Sequence, residues 1–239
     1  MTISENLQQV RQRIAAACRA AGRPVQSVTL LAVSKTFPGD AVRAAHAAGA
    51  RCFGENYVQE ALDKIETLID LRQHIEWHLI GPLQSNKTRQ VAEAFDWVHS
   101  VDRLKIAQRL SEQRPPSLPP LQVCLQVNIS NEASKSGIAP AEVAALAREV
   151  AALPRLRLRG LMAIPEPAGD FAAQRAPHRA LAALLTELNA QQQDLQLDTL
   201  SMGMSADLEA AIAEGATLVR VGSAIFGARA HGQAAQPAG

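Results

Sequence analysis

Lys35 ends the apolar run Leu30-Leu31-Ala32-Val33-Ser34, which places its amine where a buried strand would stop and the chain would turn. A lysine there can lay its stem across the core edge and leave its charged head in water. It can also act as an amine nucleophile toward a carbonyl compound. Two other stretches bear on that choice. Ser201-Met202-Gly203-Met204-Ser205 and Arg220-Val221-Gly222-Ser223 each close a β-rich run and lead into a helical one. Backbone N–H groups at helix starts, serine hydroxyls and glycines that permit close approach suit a phosphate, although Ser and Gly are also ordinary cap and turn residues.

These residues meet only if the fold gathers strand ends. Thr2 and Glu5 have the spacing of a capping box, and Leu7, Val10, Ile14, Ala17, Cys18 and Ala21 recur at helical spacing, so a first helix is predicted to about Gly22. Strand and helix then alternate. Strands are predicted over Val28 to Ser34, Arg51 to Gly54, Ile75 to Ile80, Asp96 to Val101, Leu121 to Ile129, Leu156 to Ile164, Leu197 to Ser201 and Leu218 to Gly222. Eight alternations in roughly 200 residues predict one (β/α)8 TIM-type barrel over residues 1–229 with an extra N-terminal helix. A doubly wound open sheet is the competitor, but the GxGxxG expected after its first strand is replaced by Ser34-Lys35-Thr36-Phe37-Pro38-Gly39. The four prolines of Arg114 to Pro120 read as a stiff surface loop, and residues 230–239 as a disordered tail.

In such a barrel the active site lies at the C-terminal strand ends, and phosphate sites form from the loops after strands seven and eight. Lys35 would then stand at the rim with both phosphate-type loops. That arrangement suits pyridoxal 5'-phosphate (PLP), held covalently at its aldehyde and non-covalently at its phosphate. Arg220 facing the pyridine nitrogen would oppose protonation there and weaken the ring as an electron sink.

The 239 residues are 47% hydrophobic and only 3% aromatic, so one large core must be filled by Leu, Val, Ile and Ala. A formal net charge of +1 gives no argument for nucleic acid or an anionic membrane as partner. Cys18, Cys52 and Cys124 are widely spaced without a CxxC pair, and the six histidines show no metal-binding spacing, so neither disulfides nor a metal site are expected. The start Met-Thr-Ile-Ser-Glu-Asn lacks the marks of a signal peptide and no apolar run is long enough to span a membrane; a cytoplasmic protein is expected.

The chain resembles the pyridoxal phosphate homeostasis protein family, relatives of the N-terminal barrel of alanine racemases. The resemblance is carried by LLAVSKTFP (30–38), FGENYVQE (53–60), WHLIGPLQSNK (77–87), VNISNEASKSG (127–137), RGLMAI (159–164), LSMGMSADLEAAI (200–212) and VRVGSAIFG (219–227), which span nearly the whole chain in order. It implies a PLP aldimine at Lys35 and phosphate contacts from Ser201, Ser205, Gly222 and Ser223. It further implies a ring-nitrogen contact from Arg220 and pocket positions at Asn56 and Met204. The implied role is cofactor binding and homeostasis without established turnover, affecting amino and keto acid metabolism, with PLP-dependent apoenzymes as the partners that role suggests.

Three functions stay open on the residues themselves: a cofactor carrier or buffer, a PLP enzyme with weak racemase-type, decarboxylase or transaminase activity, and an aldolase-type barrel whose phosphate site takes substrate. Where the resembling racemases carry a further β domain with a catalytic tyrosine, this chain stops about ten residues after Arg229, and its single tyrosine is Tyr57. A two-base racemase is therefore not expected, and a monomer is. Lys135 is a second rim lysine, read as a solvated loop residue or as a second, transient attachment site. His78 is expected to be a satisfied core or rim residue, and Glu55 and Glu132 suggest no catalytic carboxylate pair.

Overall fold

The computed structural model describes residues 1–130, 136–192 and 194–227. The expectations for Lys135, Glu132, Arg229 and the 230–239 tail lie outside the described residues. Within them, eight parallel strands close into a barrel in chain order: β1 (Thr29–Val33), β2 (Cys52–Glu55), β3 (Glu76–Leu79), β4 (Trp97–Val101), β5 (Leu121–Gln126), β6 (Leu156–Met162), β7 (Thr199–Ser201) and β8 (Leu218–Val221). β1 pairs with β2 on one side and with β8 on the other, where Leu31 stands opposite Arg220. That closure gives the TIM-type barrel and excludes the open sheet, which would leave two edges. The strands read as continuous apolar runs because each is buried on both faces, between the barrel interior and the helices; all five residues of β4 and all four of β8 are buried.

The helices are α1 (Ile3–Ala20), α2 (Gly39–Ala47), α3 (Val58–Thr67), α4 (Thr88–Ala94), α5 (Leu104–Gln113), α6 (Val143–Ala151), α7 (Phe171–Gln191), α8 (Leu208–Ala213) and α9 (Ser223–Phe226). The capping box opens α1: Thr2 N–H donates to Glu5 Oε2 at 2.7 Å, and Glu5 N–H donates to Thr2 Oγ1 at 3.2 Å. Leu7, Val10, Ile14, Ala17 and Cys18 are its buried stripe. The helix has an architectural task. The element after β8 is a single turn, too short to cover its share of the barrel, and α1 packs against α8, α9 and α2 in its place. Asn6 Nδ2 donates to Ile225 O at 2.9 Å, and Arg13 Nη2 donates to Ser205 O at 3.0 Å, so the same helix braces both loops read as phosphate-type.

Most strands are shorter than their sequence runs by one to three residues, and at β5 and β7 the hydrogen bonds show why. β5 stops at Gln126 because the chain folds back on itself: Ile138 N–H donates to Gln126 O and Asn128 N–H to Ile138 O, both at 2.9 Å. β7 starts at Thr199 because Leu197 N–H is taken by Asn189 Oδ1 at 2.8 Å. The proline-rich segment is a loop between α5 and β5. Arg114 fastens it, donating to Pro119 O, Ala92 O and Phe95 O.

Candidate functional site

Lys35 is the second residue past β1, half-buried, in a turn that begins at the fully buried Ser34. The next residue, Thr36, has φ +69°, a left-handed conformation that a β-branched residue avoids unless its surroundings impose it. The surroundings are a buried lysine and two carboxylates. Lys64 Nζ donates to Ser34 O at 2.7 Å, to Glu55 Oε1 at 2.8 Å and to Glu60 Oε1 at 2.6 Å. Ser34 Oγ donates to Glu55 Oε1 at 2.6 Å, and Thr36 N–H donates to Glu60 Oε1 at 2.5 Å. All three ammonium protons of Lys64 are used, and the residues on both sides of Lys35 are pinned. Burial pushes the Glu55 carboxyl above its usual range, against the pull of Lys64 and Ser34.

Lys64 and Glu60, which hold the turn around Lys35, are not among the residues singled out from the sequence. The signal was present, because Ala61, Lys64, Ile65 and Leu68 stand at i, i+3, i+4 and i+7, which puts a lysine on the buried stripe of an amphipathic helix. A charge there needs partners, and Glu60 one turn earlier is the first of them.

Arg220 projects from β8 with only 4% of its surface exposed. Its Nη1 donates to Ser201 O at 2.6 Å and to Ser201 Oγ at 2.8 Å, and its Nη2 donates to Ala163 O at 2.8 Å. Burial lowers its pKa to about 10, which leaves it cationic at neutral pH. Ser201, read from the sequence as a phosphate contact, has a fully buried hydroxyl that lies between Arg220 and His99 Nδ1, the latter at 2.8 Å.

The remaining residues ring the same mouth. Met204 is exposed at the loop after β7, and its N–H donates to Asp207 Oδ1 at 2.6 Å. Burial pushes the Asp207 carboxyl up, but the hydrogen bonds from His178 and Met204 N–H together with nearby positive charge, Arg220 included, hold it below the usual carboxylate range. Ser205 is half-buried beside Met204. Gly203 has φ +89°, and a Cβ there would lie 2.5 Å from Ala211 Cβ, so only glycine lets this loop sit down on α8. After β8, Gly222 O accepts from both Ile225 and Phe226, which puts the N–H groups of Ser223 and Ala224 ahead of the α9 ladder. Asn56 follows β2 half-buried, and its buried Oδ1 has no hydrogen-bond partner among the described residues. These features fit PLP: an amine at the rim, a buried guanidinium, two loops with backbone donors and an unpartnered polar atom.

The closed eight-stranded barrel places the chain among the (β/α)8 barrels, and the sequence profile of the N-terminal domain of alanine racemases matches residues 5–230. The chain is 65% identical over 231 residues, 97% of each chain, to the pyridoxal phosphate homeostasis protein of Pseudomonas aeruginosa. It is 57% identical over 228 residues, 95% of this chain and 97% of the other, to that of Escherichia coli. The chain belongs to the pyridoxal phosphate homeostasis protein family. Among solved structures, PipY of Synechococcus elongatus with PLP bound is 40% identical with a TM-score of 0.83, over 94% of this chain and all of that one. Alanine racemase from Corynebacterium glutamicum shares the fold alone, at 18% identity and a TM-score of 0.66 over 93% of this chain and 59% of that one.

Proposed function

We propose that the chain binds pyridoxal 5'-phosphate at the C-terminal mouth of its barrel, attached covalently to Lys35, and serves the intracellular homeostasis of this cofactor by buffering or delivering it. One observation carries the reading. A half-buried lysine, its neighbours locked by Lys64 and Glu60, shares a mouth with a buried arginine and two donor-bearing loops. When bound, PLP supplies an aldehyde carbon and an electron-withdrawing ring. Lys35 provides the amine; the loops at Met204-Ser205 and Gly222-Ser223 receive the phosphate; Asn56 and Arg220 meet the ring, with Arg220 at its nitrogen. A permanent cation at that nitrogen opposes its protonation, which suits storage better than sustained carbanion chemistry.

Delivery to PLP-dependent apoenzymes, a monomeric state and a cytoplasmic location belong to the same proposal. No helix among the described residues is long and apolar enough to cross a membrane.

Adding PLP to the purified protein should raise a visible absorption band, and borohydride reduction with peptide mapping should place the label on Lys35. Lys35→Ala should lose both. A protein that stays colourless overturns the cofactor reading. Delivery is overturned if the loaded protein activates an apoenzyme no faster than free cofactor at equal concentration. Exchange of an amino acid's α-proton in deuterated water at an enzymatic rate, abolished by Lys35→Ala, overturns the non-enzymatic role.

A further inference from the structure

A continuous line of buried hydrogen bonds crosses the barrel interior from Arg220 to the opposite, N-terminal mouth. Arg220 Nη1 donates to Ser201 Oγ at 2.8 Å; Ser201 Oγ lies 2.8 Å from His99 Nδ1; His99 Nε2 lies 2.9 Å from His78 Nδ1; His78 Nε2 lies 2.9 Å from Glu76 Oε1. Ser201, His99 and His78 are at most 1% exposed, whereas the Glu76 side chain is 48% exposed. Glu76 opens on a cavity of about 240 Å³ that is also lined by Thr29, Trp97, Arg159, Asp198 and Thr217, at the N-terminal ends of the strands.

The line has a direction set by proton bookkeeping. An ionised carboxylate only accepts, so His78 presents Nε2–H to Glu76, and a singly protonated ring then offers its Nδ1 lone pair to His99. His99 then donates from Nε2 and accepts at Nδ1, which fixes the Ser201 O–H toward His99. That leaves a Ser201 lone pair for Arg220, and every donor on the line has an acceptor. In the reverse direction Ser201 Oγ would receive two N–H groups and its own proton would have no acceptor along the line. Burial, reinforced by His78 and Arg220, keeps His99 well below its ordinary pKa and hence neutral. At the far end the hydrogen bond from His78 outweighs burial and holds Glu76 below the usual carboxylate range. The other groups facing Glu76 agree. Burial pushes the Cys52 thiol up to about 12, and its Sγ donates to Glu76 Oε1 at 3.7 Å. Arg159, over the Trp97 ring, is occupied by Asp198.

We propose that Glu76 is a remote positioning residue for the cofactor site: from the opposite mouth it orients His78, His99 and Ser201 so that Arg220 is held with its guanidinium fixed at the ring-binding end. This rests on the proposed PLP site. The relay also gives the cofactor end a means of sensing what binds at the N-terminal mouth, since a donor presented to His78 Nε2 in place of Glu76 would reverse the same three protons.

The test begins with cofactor-free protein carrying 15N-histidine, in which nitrogen shifts report the tautomers. His78 and His99 should both be neutral Nε2–H forms at neutral pH. Glu76→Lys places donors before His78 Nε2, and should move the proton to Nδ1 in both rings, weaken PLP binding roughly tenfold and shift its absorption band. Glu76→Gln, which keeps a carbonyl acceptor, should restore the Nε2–H pattern and the cofactor affinity. A wild-type spectrum with either ring as Nδ1–H or doubly protonated overturns the proposal, whether or not any variant folds. So does a folded Glu76→Lys protein with unchanged tautomers, or with reversed tautomers and unchanged cofactor binding and absorption. Failure of the PLP site itself would show separately, as a wild-type protein that takes up no cofactor.

Discussion

Two buried polar assemblies hold the two ends of the candidate site by different means. Around Lys35 the device is ionic and compact: Lys64 binds Glu55, Glu60 and the Ser34 carbonyl, all within thirty-one positions of chain, Ser34 to Lys64. Around Arg220 the device is a line of hydrogen-bonded side chains, Ser201, His99 and His78, that runs to Glu76. The difference follows from what each must fix. A reactive amine on a tight turn needs its backbone immobilised, which point charges on backbone atoms do. A guanidinium proposed to meet a ring needs orientation, which directed donors and acceptors supply at smaller desolvation cost.

The ionic assembly should be the more expensive to break. Lys64→Ala strands Glu55, whose side chain is wholly buried, and should cost about 3–5 kcal/mol in denaturant unfolding. The double change Lys64→Met with Glu55→Leu should recover part of that stability without recovering cofactor uptake, because the turn at Thr36 is no longer held. Along the hydrogen-bonded line, Ser201→Ala should cost only about 1 kcal/mol of stability, since Arg220 keeps the carbonyls of Ser201 and Ala163. If the two variants destabilise equally, the contrast between the assemblies is wrong.

Two smaller effects sharpen the comparison. Thr36→Gly relieves the left-handed threonine and should stabilise the fold by about 1 kcal/mol while loosening Lys35, seen as a higher melting temperature with faster PLP release. At acid pH the loop after β7 should loosen through Asp207. Its pKa in the folded protein is lowered, so its contribution is fully present above the unfolded value near 3.8 and is lost as pH falls through the folded value. Asp207→Asn should flatten that acid limb of the stability curve.

The barrel was legible because alternation survives at every unit: apolar runs of strand length, each followed by a helical stripe. Lys35 was legible because a charge closing such a run is conspicuous, and the glycine and serine stretches because helix starts leave donors unpaired. Ser201 was placed at the right strand end, but its buried partners were not legible. Strand periodicity does not say whether the last residue points into the barrel or over its rim, and the close approach of Arg220 and His99 decides that it points in. His78 was placed in its strand as a satisfied residue. Its partner His99 was invisible, because nothing local links positions 78, 99 and 201.

By itself the sequence determined what depends on neighbours in the chain: eight strands and their helices, the capped first helix, the lysine at a strand end and the glycine- and serine-bearing loops after the last two strands. Only the tertiary structure decided what depends on closure. Joining β8 to β1 set Arg220 opposite Leu31 and made the barrel interior a place where an arginine, two histidines and a serine must find partners or not be there. Hydrogen bonds across a closed interior are fixed by register and strand tilt, and neither is written in the order of the residues that make them.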